Sequence, residues 1–96
     1  MSAEVTPDEL AACRQAIERR PEHAPEAGRL PEVWRGAGGR EARVIYLNFI
    51  DPTALPVGAI YRTWVVQLRE GRVAAVSYFL SRRGAAGDET LPPEAV

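Results

Sequence analysis

The sequence predicts an α+β fold: an N-terminal capped helix, then a three-stranded antiparallel meander forming a curved sheet, then an acidic flexible C-terminal tail. Three observations point there. Thr6-Pro7-Asp8-Glu9 has the spacing of a helix capping box. Three stretches between residues 42 and 81 are rich in β-branched and aromatic residues and are separated by turn signals. Residues 84–96 hold two glycines, two prolines and three acids, and few groups worth burying. A chain of 96 residues makes one domain, read as residues 1–83, with 84–96 as a disordered tail.

The helix is expected over residues 7–20. Thr6 is its N-cap, Pro7 suits the first helical position, and Val5 and Leu10 are placed to form a hydrophobic staple. Asp8 and Glu9 favour the positive end of the helix dipole, Arg19 and Arg20 the negative end, and Pro21 stops the chain. Leu10, Cys13, Ala16 and Ile17 make one narrow apolar stripe, enough for one face of a small sheet. Residues 21–40 read as a loop, because Pro21, Pro25, Pro31, Gly28 and the run Gly36-Ala37-Gly38-Gly39 interrupt regular structure. Within it, residues 31–35 suit a single helical turn.

Strands are expected at 42–50, 60–68 and 73–81. Asp51-Pro52, Pro56 and Gly58 hold the first connection in a loop. Arg69-Glu70-Gly71 suits a three-residue hairpin loop with Gly71 at positive φ. That loop pairs Trp64 with Val76 and Arg62 with Tyr78 on one face, and Tyr61 with Phe79 and Val65 with Ala75 on the other. A two-residue Glu70-Gly71 loop shifts the register by one and exchanges the faces of the third strand. In either register both faces carry large apolar groups. The first strand agrees, with Val44, Tyr46 and Ile50 on one side and Ile45, Leu47 and Phe49 on the other. A strand apolar on both sides is covered on both sides. One thin helix covers one. A second copy of the chain is the simplest cover for the other, and the alternative is that Leu30, Val33 and Trp34 fold back to close the sheet within one chain.

Composition removes several classes of chemistry. Twelve arginines, no lysine and 13 acids leave a net charge of −1, so no global positive field draws the chain to nucleic acid or anionic lipid. The charge is uneven: residues 41–83 carry six arginines against three acids, and the tail carries three acids and no base, so the strands attract the tail of this chain or of a neighbour. Cys13 is alone and sits on the apolar stripe, where a thiol is packed and inert. His23 is the single histidine, in a proline-rich segment and followed by Glu26 three residues later, and reads as a solvated loop residue. These counts assign no catalytic residue, no metal site and no cofactor. No apolar run reaches the 18–20 residues or so that cross a bilayer, the opening Met-Ser-Ala-Glu-Val-Thr lacks the features of a secretory signal, and the expected location is the cytoplasm.

The candidate interface or ligand-binding residues are Tyr46, Tyr61, Arg62, Trp64, Val65, Tyr78 and Phe79. Their aromatic and arginine content raises nucleic acid as a partner through stacking and phosphate contacts, but the aromatic recognition motif of RNA-binding sheets is absent. The stretch from Val65 to Phe79, with its Arg69-Glu70-Gly71-Arg72 turn and terminal Tyr78-Phe79 pair, resembles the closing hairpin of the NTF2-like (SnoaL-like) family. The approach Leu55-Pro56-Val57-Gly58 is also similar, and the likeness spans about residues 41–82. It implies a curved α+β domain, dimerisation, and a ligand pocket between helix and sheet. No polar pair of a family active site has a counterpart here, so it implies no catalysis. The expected function is therefore a non-catalytic homodimeric interaction or regulatory module using an apolar sheet face, with a second protein as a further partner. A reduced NTF2-like domain holding a small apolar ligand is the alternative, and a weak nucleic-acid binder the third.

Overall fold

The structure, a computed structural model, describes residues 5–26, 29–39 and 41–92. A helix, α1 (Pro7–Glu18), and a 3-10 helix (Pro21–Glu26) precede five strands: β1 (Val33–Gly38), β2 (Ala42–Asn48), β3 (Ile60–Arg69), β4 (Arg72–Arg82) and β5 (Glu89–Thr90). The strands pair antiparallel in the order β1-β2-β3-β4-β5 and curl into a half-barrel.

The helix begins where its cap dictates. Glu9 N–H donates to Thr6 Oγ1, and Thr6 N–H donates to the Glu9 carboxylate, both at 3.1 Å. It ends at Glu18, two residues short of the expected span, with Arg19 as C-cap. Arg20 leaves the helix altogether and donates from Nη1 to the Val76 carbonyl at 2.6 Å. Cys13 and Ile17 of α1 enter one core with Ile45, Leu47, Phe49, Trp64, Val66 and Leu68, and Val5 and Leu10 pack against it. Arg43 on β2 reaches the first turn of α1 through an ion pair with Glu9 at 2.9 Å.

The three-stranded meander is corrected to five strands. The loop expected over 21–40 holds two elements: Pro21 starts a 3-10 helix, and residues 33–38 form an edge strand. Among the glycines that read as interruptions, Gly38 is what lets this strand sit close. Gly36 is buried opposite Ile45, and a Cβ on Gly38, at φ +92°, would stand 2.5 Å from the Ala42 carbonyl oxygen. Leu30, Val33 and Trp34 do not fold back over the sheet; they are 67%, 36% and 43% exposed.

Nor are residues 84–92 a free tail. Leu91 is buried and its N–H donates to the Leu80 carbonyl at 2.9 Å, while Glu89 and Thr90 pair with Arg82 and Ser81. The attraction between acidic tail and basic strand acts within one chain, through Arg83–Asp88 at 3.0 Å and Arg82–Glu89 at 3.5 Å. Residues 93–96 lie outside the described residues.

The β3-β4 turn has two central residues, not three. Glu70 and Gly71 both have positive φ, +53° and +84°, which is the turn whose twist matches a hairpin. By itself this would exchange the faces of β4. A bulge corrects it: Leu68 pairs with Val73 and Gln67 with Ala75, leaving Ala74 over. Trp64 therefore meets Tyr78, two residues from the expected partner yet on the expected face.

Candidate functional site

The two faces of the sheet differ in what covers them. The inner face carries Ile45, Leu47, Trp64, Val66 and Leu68, all buried beneath α1. The outer face is built of cross-strand rungs. Arg35, Tyr46, Val65 and Ser77 form one from β1 to β4. Ala37, Val44, Gln67 and Ala75 form the next toward the hairpin turn. On the other side, Thr63 faces Phe79 and Tyr61 faces Ser81, which in turn faces Thr90. Val44, Tyr46, Tyr61, Val65 and Phe79 are each half-buried there. The α1 helix lies on the opposite face, and a short 3-10 helix, Pro52–Ala54, borders them through Pro52 alone.

The expected site residues thus fall into two groups. Tyr46, Tyr61, Val65 and Phe79 come together on the outer face. Trp64 and Tyr78 belong to the inner face, where Trp64 is 0% exposed and their rings meet edge to face with centroids 5.1 Å apart. Arg62 lies with them, its guanidinium 4.5 Å from the Tyr78 ring centroid and 5.4 Å from that of Trp64. It also donates to the Glu22 carbonyl at 3.2 Å, tying the 3-10 helix to β3. These three are braces of the core rather than parts of the outer surface.

The end of the outer face holds a groove of about 270 Å³ lined from β1 to β5. Its residues combine stacking surface with hydrogen-bonding groups. The Arg35 guanidinium stacks 4.2 Å from the Tyr46 ring centroid. Asn48 donates from Nδ2 to Thr63 Oγ1 at 2.9 Å and to the Arg62 carbonyl at 3.1 Å, so Thr63 is fixed although only 7% exposed. At the far side Asp88 gathers three donors: the Tyr61 hydroxyl, Arg83 Nη1 at 3.0 Å and Gly84 N–H at 3.2 Å. The Tyr61 hydrogen bond, then Gly84 and Arg83, hold the Asp88 carboxyl below its ordinary range. Burial, then the same bond to Asp88, raises the Tyr61 phenol, which stays a protonated donor at neutral pH. The clasp pins the 84–88 loop to β3 and closes one side of the groove.

Arg35, Asn48 and Asp88 were not singled out in the sequence. Asn48 had a signal, as the polar residue continuing the outward positions 44 and 46 of its strand. Arg35 and Asp88 had none once their segments were read as loop and tail.

Other titratable groups contribute little chemistry. Burial, with the Glu9 carboxylate nearby, pushes the Cys13 thiol up to about 11, so it is neither nucleophile nor ligand at neutral pH. Among the described residues no three His, Cys, Asp or Glu side chains are grouped to hold a metal ion, and no helix is long and apolar enough to cross a membrane. The arrangement can stack, hydrogen-bond and bury apolar surface. Compared with protein-family models, curated proteins and solved structures, the chain matches none.

Proposed function

We propose that this protein is a non-catalytic interaction module that forms a homodimer through the outer face of its sheet. One observation carries the reading: a band of half-buried Val44, Tyr46, Val65 and Phe79 crosses the middle of that face, and α1 packs on the other side. Half-buried aromatic and β-branched groups arranged contiguously leave an apolar patch that a partner can cover. A two-fold axis through the sheet places the same band against itself, with Val65 near its centre. The groove adds a polar rim in which Arg35, Asn48 and Asp88 surround the apolar middle, the usual arrangement of an interface.

Sedimentation at micromolar concentration tests this. The dimer is expected to persist between low and high salt, because burial of apolar surface drives it rather than ion pairing. Val65→Glu places a charge at the middle of the band and is expected to give a folded monomer, with folding checked by circular dichroism. A parent protein that stays monomeric at about 100 µM, a concentration at which even a weak specific interface with micromolar Kd is populated, refutes the proposal.

A further inference from the structure

The inner face is longer than the helix that covers it. Twelve residues of α1 extend about 18 Å, whereas ten residues of β3 extend about 33 Å. The helix shares its core with Ile45, Leu47 and Val66, whereas Ile50, Ile60 and Leu80 lie outside that core. Toward the start of β3 an open cavity of about 340 Å³ remains, walled by Phe49, Leu55, Ile60 and Leu80 with Ile50 beside them. Ile50 and Ile60 are 45% and 53% exposed, so large apolar groups are left facing water at its mouth. An apolar occupant removes that surface from solvent.

The charged groups among the described lining residues of this cavity have one sign. Arg29 and Arg62 both line it, and among its described lining residues there is no carboxylate. Arg62 is held in place by the Trp64 and Tyr78 rings and by the Glu22 carbonyl. Arg29 is exposed and makes no ion pair among the described residues. A guanidinium presents a planar fork of donors matched to the two oxygens of a carboxylate.

We infer that the cavity binds a small amphipathic monocarboxylate, its apolar body between Phe49 and Leu80 and its carboxylate on Arg29. At about 30 Å³ for each heavy atom, taking the share of a water molecule, the volume holds a body of roughly ten atoms, the size of a medium-chain acid. The site is separate from the outer-face dimer, since Tyr61 alone belongs to both.

Calorimetric titration of the full chain with octanoate, and with 1-octanol as its uncharged counterpart, tests the inference. Saturable one-to-one binding of octanoate is expected, about tenfold tighter than octanol, as one charge-assisted pair provides. Arg29→Gln, at an exposed position, is expected to remove that tenfold advantage and leave octanol binding unchanged. Leu80→Trp, which fills the cavity, is expected to abolish both, and amide shifts caused by octanoate are expected at Ile50, Ile60 and Leu80. Absence of saturable octanoate binding, equal affinity for octanol in the parent, an unaffected Arg29→Gln protein, or shifts centred on Tyr46 and Phe79 would each overturn it.

Discussion

Deleting Ala74 should be nearly harmless, whereas deleting Ser77, three residues later in the same strand, should not. Leu68 pairs with Val73 and Gln67 with Ala75, so Ala74 is the single residue of β4 without a partner across the ladder. Removing it makes Val73 and Ala75 neighbours and leaves every pair from Val66–Val76 to Ile60–Arg82 as it is. Ala74 is exposed, so no core contact is lost. Folding no longer has to order that residue, which opposes it by about 1–2 kcal/mol, and the loss of bulge twist acts against this gain. The net change is expected within about 1 kcal/mol. Deleting Ser77 shortens the strand equally but keeps Trp64 opposite Tyr78 only if residues 74–76 each advance one place. Ala75 then faces Val66, and Val76, which packs against the core, moves to the outer face. Losing most of a valine from the core and leaving a gap beside Val66 costs roughly 1.5–3 kcal/mol. Urea unfolding separates the two, because 2 kcal/mol moves the midpoint by about 1 M at the slope usual for small domains. Equal destabilisation by the two deletions, or the larger loss from deleting Ala74, would show that the bulge is not what restores the faces of β4.

Four further outcomes are expected. Thr6→Ala removes an acceptor at 3.1 Å from Glu9 N–H and should cost about 1 kcal/mol in denaturant melts. Gly71→Ala meets no atom within 4 Å and should lose only the roughly 1 kcal/mol of a left-handed backbone, while Gly38→Ala must also push back a carbonyl oxygen at 2.5 Å; melts should show the second to be clearly worse. Cys13, 0% exposed and with its thiol raised to about 11, should react with a disulfide reagent at pH 8 only at the rate of unfolding. Asp88 titrates below its ordinary 3.8 when folded, so folding favours its carboxylate: the clasp is complete above about pH 4 and is lost as pH falls through the lowered value. Protection of the Leu91 amide, its exchange rate taken relative to that of the unfolded chain at the same pH, should therefore fall in acid in the parent, and Asp88→Asn should flatten that dependence.

Much of the fold was legible because its signals are local. The capping box needs four residues, and the three long strands announce themselves by β-branched and aromatic content. What escaped were the two edges. In β1 the signal was inverted: Gly36 and Gly38 raise the cost of order, yet Gly38, without a side chain, allows an approach to β2 that only the finished sheet makes visible. In β5 two residues carry no periodicity, and the strand exists through Leu91 in the core and Asp88 under Tyr61 and Arg83. Contacts 27 residues apart, such as Tyr61 with Asp88, leave no pattern in a sequence window.

The candidate site divides for a related reason. Alternation along β2 and β3 separates Tyr46, Tyr61 and Val65 from Trp64 and Arg62, but it does not say which set the helix covers. That choice depends on the parity of β4, hence on whether the turn has two residues or three and on one extra residue at Ala74. A turn of two with a bulge and a turn of three put Tyr78 on the same face, because each adds an odd residue to the hairpin. Once Tyr78 stands beside Trp64 and beneath Arg62, the largest aromatic surface of the chain is committed to the core, and Arg62 is held there by both rings. The outer face is left with Tyr46, Val65 and Phe79, rimmed by Arg35 of β1 and by Asp88 of the loop leading into β5, the two edge strands that the sequence did not reveal. The surface proposed for association is thus assembled by the edges, which is why its apolar middle could be read in advance and its polar rim could not.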